Sequence, residues 1–125
     1  MQTLFALAAR SASVDTQTGL LSVFEVLESI HATKLPALAQ DFIFVTLLER
    51  SAGDPDRHEG TIVLTLGDRL LHSQKLPIDF GGRKRARVLV RLGGLEIPAA
   101  GVLSVRIEGQ DRAADIDIEP PEGSA

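Results

Sequence analysis

From residue 60 onward, apolar positions recur at every second residue. In residues 61–66, Ile62, Leu64 and Leu66 alternate with Thr61, Val63 and Thr65. In residues 103–108, Leu103, Val105 and Ile107 alternate with Ser104, Arg106 and Glu108, and in residues 114–119, Ile116 and Ile118 alternate with Asp115, Asp117 and Glu119. Successive side chains of an extended chain point to opposite faces, so each run predicts a strand with one face in water. Turn signals separate the runs: Gly67-Asp68, Gly81-Gly82, Gly93-Gly94, residues 98–101 and residues 109–111. Residues 70–80 supply another strand. Pro77 has no N–H to donate, so the end of that strand is expected at a sheet edge or outside the sheet.

The first third follows other patterns. Residues 41–49 (DFIFVTLLE) are apolar on both alternating sets, which predicts a central strand covered on both faces. In residues 20–30, Leu20, Phe24, Leu27 and His31 would share a helical face, while Phe24, Val26, Glu28 and Ile30 would share a strand face; the Val and Phe content favours strand. Residues 4–14 form the strand before it, joined through a hairpin turn at residues 15–19. The Pro-containing segments 34–40 and 94–101 read as connections between sheets. Short strands punctuated by turns predict an all-β chain: an antiparallel two-sheet sandwich of about seven or eight strands, immunoglobulin-like or C2-like. Residues 1–119 would form a single domain, and residues 120–125 a frayed polar tail.

Composition narrows the function. A chain of 125 residues, 44% hydrophobic and 24% charged, has the make-up of one globular domain. Its aromatic residues are five Phe with no Trp or Tyr, which removes the side chains most used to stack bases or sugars. Thirteen basic against seventeen acidic residues leave a formal charge of −4, so no global field draws the chain to phosphate and nucleic acid is disfavoured. Without cysteine there is no disulfide, thiolate nucleophile or cysteine-based zinc site, and the expected compartment is the cytoplasm. The opening MQTLFALAARSAS lacks the basic start and long apolar run of a secretory signal. No apolar run reaches the length of a membrane span.

The most distinctive stretch is GGRKRARVLVRLGG, residues 81–94. Read as a strand, it places Lys84, Ala86, Val88, Val90 and Leu92 on one side. Arg83, Arg85, Arg87, Leu89 and Arg91 fall on the other. A solvated face is the first reading, with the arginines paired across to acidic neighbours such as Asp115, Asp117 and Glu119 on the last strand, while Glu25, Glu49, Arg106 and Glu108 add mixed charge elsewhere. Such pairs set register at a few tenths to about 1 kcal/mol each. The functional reading is a row of guanidinium groups that grips an anionic ligand or a partner surface. A targeting signal in RKRAR is the weakest option, because strand neighbours would hide it.

Residues 53–60 (GDPDRHEG) bring Asp54, Asp56 and Glu59, with His58, into range of one cation. Calcium is the metal such oxygen ligands suit, but the position that should carry a bidentate acid is Thr65, so a hydrated loop is favoured over calcium. His31, His58 and His72 have no pairwise spacing that suits zinc. No G-x-S-x-G, Walker loop or dinucleotide fingerprint occurs. The chain is therefore expected not to be an enzyme and to need no cofactor.

The order of the segments FALAARSASVD, TGLLSVFEVLESIHATKLPA and DFIFVTLLER resembles a bacterial family of small cytoplasmic β-sandwich proteins of unknown function. In that family a leading strand is followed by G-(K/L)-L-x-(V/I)-x-G-x-(F/L)-(D/E)-x-I, an F/L-P turn and an apolar strand. Gly19-Leu20-Leu21, Val23, Glu28-Ser29-Ile30 and Leu35-Pro36 fit, with Glu25 near the place of the second glycine. Leu95-Glu96-Ile97-Pro98 and Gly101 resemble the family's F-P-x-x-G-x-Y-x-F ending, with Leu103 where an aromatic stands. The resemblance implies strand for residues 20–30 and a sandwich fold, and it carries no catalytic residues. The expected function is a non-catalytic protein-interaction or scaffold module, with a protein partner or self-association as a homodimer. A binding module for an anionic ligand using Arg83, Arg85, Arg87 and Arg91 comes second, and a small hydrolase third.

Overall fold

A computed structural model describes residues 1–122 of the chain, and they contain strands and turns with no helix. Gly123, Ser124 and Ala125, the end of the expected tail, lie outside the described residues; residues 120–122 lie outside the strands. The strands are β1 (Gln2–Val14), β2 (Leu21–Val26), β3 (Ser29–His31), β4 (Ala37–Leu38), β5 (Phe42–Glu49), β6 (Arg57–Leu66), β7 (Arg69–Asp79), β8 (Arg85–Leu92), β9 (Glu96–Ile97), β10 (Gly101–Ile107) and β11 (Ala114–Glu119). They form a four-stranded sheet in the order β2-β1-β5-β8, a five-stranded sheet β3-β11-β10-β6-β7, and a small pair β4-β9. No helix of the described residues is long and apolar enough to cross a membrane.

Three details depart from the sequence reading. The strand count exceeds seven or eight because β3, β4 and β9 are only two or three residues long, too short for an alternating pattern to show. The segments 34–40 and 94–101, expected as plain connections, hold β4 and β9 and pair with each other. In addition, β3 pairs with β11 in parallel, so the sheets are not purely antiparallel.

The period-two runs behave as read. Ile62, Leu64, Leu103, Val105, Ile116 and Ile118 from the five-stranded sheet are buried in one cluster with Phe42, Phe44, Leu48 and Leu92 from the four-stranded sheet. Each fully buried Phe in such a cluster contributes roughly 1.5–3 kcal/mol. Buried Thr46 fits this core because its hydroxyl donates to the Phe5 carbonyl at 2.9 Å, beside a register shift in β1 between Thr3 and Phe5.

β1 serves two partners: residues 2–9 pair with β5, and residues 9–14 pair with β2. A straight continuation beyond Ala9 would carry the hairpin away from Arg87, past the Ile43–Arg91 end of the sheet. Instead, Arg87 Nη1 donates to the Gly19 carbonyl at 3.2 Å, so the hairpin turns back across the face of the sheet opposite the main core. This covering accounts for Ile43 and Val45, which point away from Phe42 and Phe44 and yet are only 8% and 0% exposed. The hairpin's half-buried Leu21 and Val23 alternate with exposed Ser22 and Phe24. Its turn is held by Asp15, whose carboxylate accepts the N–H groups of Gln17 and Thr18 at 2.8 Å each. Glu25, near the place where the resembled family has glycine, has a positive φ of 55° and is the one non-glycine residue so placed among the described residues.

Candidate functional site

β7 and β8 are consecutive strands that each end a sheet, β7 the five-stranded one and β8 the four-stranded one. The link between them, residues 80–84, turns sharply at Gly81 and Gly82, whose φ values of 58° and 76° favour glycine. Asp79 and Asp56 carboxylates accept the Gly81 and Gly82 N–H groups at 2.8 and 2.7 Å. Phe80 is buried beneath the link, with the Arg50 guanidinium 5.8 Å from its ring centroid.

The arginine row is largely where the alternation placed it. Ala86 and Leu92 are buried and Val88 and Val90 half-buried, while Arg85, Arg87, Leu89 and Arg91 are exposed on the other face of β8. Arg83 is the exception: it sits in the link, its N–H bonded to the Phe80 carbonyl at 2.9 Å, because the glycine turn extends past Gly82 and the strand begins only at Arg85. Lys84 likewise precedes the strand.

The expected acidic partners on the last strand are elsewhere, since Asp115, Asp117 and Glu119 belong to β11 of the other sheet. Glu49 on β5, directly opposite Arg85, is the carboxylate that does pair, at 3.0 Å. Arg87 holds the neutral Gly19 carbonyl. Among the described residues, no carboxylate lies within ion-pair distance of Arg83, Arg87 or Arg91.

The backbone of β8 adds a feature that residue types alone do not reveal. Arg50 N–H donates to the Lys84 carbonyl at 2.8 Å, one step beyond the Glu49–Arg85 pair. In an antiparallel ladder hydrogen-bonded and non-hydrogen-bonded pairs alternate. Ala86, Val88, Val90 and Leu92 therefore direct their N–H and C=O groups at β5. Arg85, Arg87, Leu89 and Arg91 direct theirs at the open edge, where no strand of the described residues pairs with them. The arginine row and the row of unpaired backbone groups belong to the same residues.

Beside this edge runs a groove of about 370 Å³ between the two sheet ends, lined by Leu76, Pro77 and Asp79 from β7 and residues 86–90 of β8. It explains why Val88 and Val90 stay half-buried although they face the core. A second hollow of about 380 Å³ lies on the β6–β7 side, where Arg57 pairs with Asp79 at 2.9 Å and Lys75 with Glu59 at 3.4 Å. His58 lines it with a buried Nδ1 that has no hydrogen-bond partner, its ring stacked 6.3 Å from Phe80.

The residues considered for calcium have separate partners. Asp54 binds the N-terminal ammonium at 2.6 Å and accepts the Ser51 N–H at 2.8 Å, and these contacts hold its carboxyl below the usual range. Asp56 binds Arg50 at 2.9 Å. Glu59, like His58, lies inside β6 rather than in a loop, because β6 begins at Arg57. Among the described residues, no group of three or more His, Asp or Glu side chains comes together around a metal position.

The model of a family of unknown function matches residues 4–116 of the chain. No curated protein and no solved structure matches it.

Proposed function

Because the chain belongs to the family of unknown function DUF6941, we propose its role from the site alone: a non-catalytic protein-interaction module that receives its partner on the open edge of β8. The observation that carries this reading is the coincidence, on Arg85, Arg87, Leu89 and Arg91, of unpaired backbone groups with exposed side chains. Main-chain bonding to a sheet edge gives affinity, and side chains at alternate positions give specificity. The arginines lie along a line instead of converging, with Leu89 (38% exposed) between Arg87 and Arg91. That arrangement suits an extended partner better than a compact anion, so the small anionic ligand is the secondary reading.

Pairing between two β8 edges is the less suitable form of association. Antiparallel registers centred on Arg87, Val88 or Leu89 each set arginine opposite arginine, and like charges directly opposite are destabilising. The partner is accordingly a different protein. Binding is favoured over hydrolysis because no serine or threonine hydroxyl of the described residues bonds a histidine: His72 Nε2 bonds Gln74 at 2.9 Å, His31 faces Glu119 at 3.5 Å, and the buried His58 Nδ1 has no partner. The two larger sheets, which share one buried cluster, support a two-sheet sandwich of immunoglobulin-like or C2-like layout. The resemblance on Gly19-Leu20-Leu21 and Leu35-Pro36 supports a bacterial, cytoplasmic protein.

The test is a photo-reactive side chain at position 89, with one at Asp117 on the exposed face of β11 as control. Position 89 should cross-link one protein species in cells and position 117 should not. No adduct at 89 beyond the control would retire the reading.

A further inference from the structure

Resting on the proposal that β8 receives a partner, we infer the chemistry of the segment received: an extended strand that alternates acidic and apolar residues along the edge of β8. The outward backbone groups belong to Arg87, Leu89 and Arg91, so partner residues hydrogen-bonded directly opposite them share their exposed face. A carboxylate opposite Arg87 and another opposite Arg91 would each meet a guanidinium with no ionic partner among the described residues. At Arg87 the carboxylate replaces the neutral Gly19 carbonyl, because charge-assisted hydrogen bonds are the stronger kind.

Intervening partner side chains point to the other face, where half-buried Val88 and Val90 and the groove bordered by Leu76 and Pro77 offer apolar contact. Pro77 also keeps that groove open. Phe80 N–H donates to the Asp56 carbonyl at 2.9 Å, which sets the phase of the β6–β7 ladder and turns the Pro77 nitrogen to the open edge, where it has no hydrogen to donate. β7 therefore cannot easily take the place of the partner by closing onto β8. The chain's own β11 carries the required alternation in Asp115, Ile116, Asp117 and Ile118, but it is held between β10 and β3.

The experiment titrates the full chain, isotope-labelled on its amides, with an extended peptide alternating valine and aspartate, and in parallel with one alternating valine and lysine. The acidic peptide should shift the amide signals of Arg87, Leu89 and Arg91 and slow their exchange, and added salt should weaken it. Replacing both arginines (Arg87→Ser with Arg91→Ser) should weaken it roughly tenfold or more. Leu89→Pro should abolish it while leaving the rest of the amide spectrum in place, since the Leu89 N–H takes no part in the β5 ladder. Equal binding of both peptides would overturn the acidic assignment. So would an acidic peptide that leaves the β8 amides unmoved. In either case the wider reading still stands if position 89 cross-links a protein, and falls with the inference if it does not.

Discussion

β7 and β8 follow one another in the chain, end different sheets and flank the same groove, but their open edges are composed differently. On β7 the outward groups include Pro77, and the flanking charges are neutralised locally by the Arg57–Asp79 and Lys75–Glu59 pairs. Proline and paired charge are ordinary means of closing an edge to further strands. On β8 the outward groups belong to three arginines and a leucine, of which Arg85 has an acidic partner. Charge alone discourages pairing with a second basic strand while leaving every donor and acceptor in place. The difference shows that an edge can exclude its own kind and still accept a complementary chain.

The largest effect tests the phase of the β8 ladder. Val90→Pro removes an N–H bonded to β5 and should cost about 2–4 kcal/mol, whereas Leu89→Pro should cost less than about 1 kcal/mol. Denaturant unfolding of the two variants measures the gap; equal losses would mean that the two residues do not alternate between inner and outer bonding. Next in size, Gly60→Ala acts on the β7 side. An added Cβ would stand 2.6 Å from Ile78 Cδ1, and Ile78 is buried, so the core must shift at roughly 1–3 kcal/mol. Because Gly60 and Ile78 belong to the five-stranded sheet and not to that of β8, thermal melting should fall while amide exchange at Arg87, Leu89 and Arg91 stays unchanged.

Much of this arrangement was legible in the alternation, and the remainder depends on contacts between distant segments. The exposure of Arg85, Arg87 and Arg91 follows from period two, and Pro77 pointed correctly to an edge. Residues 41–49 are readable as a doubly covered strand, but not what covers them, since the fold-back of the hairpin, marked by the Arg87–Gly19 contact, brings together segments 68 residues apart. The edge position of β8 was hidden for the same reason: strand order is a non-local property. Arg83 falls in the link and not on the strand because Gly81-Gly82 marks where a turn begins and not how many residues it uses. His58 and Glu59 looked like loop residues among acidic and glycine neighbours, until pairing with β7 drew them into β6.

Two smaller effects sharpen the contrast from the hairpin side. Glu25→Gly removes the cost of a left-handed backbone at a β-carbon-bearing residue, partly offset by greater freedom in the unfolded chain, and should raise stability by about 0.5–1 kcal/mol. A lower melting temperature would contradict the backbone assignment. Asp15 has its pKa held below 3.8, first by the Thr18 N–H and then by that of Gln17. A depressed carboxyl stabilises the fold above its unfolded pKa and loses that contribution as pH falls through its folded value. Exchange of the Gln17 and Thr18 amides should therefore quicken, relative to its intrinsic rate, only as pH drops below 3.8, while the β8 pattern is retained.

Hydrogen exchange along β8 in the isolated chain tests the open edge most directly. Protection should alternate, with the Val88 and Val90 amides slow and those of Arg87, Leu89 and Arg91 fast. Uniform slow exchange through residues 86–91, or the reverse parity, would contradict an edge free to receive a partner.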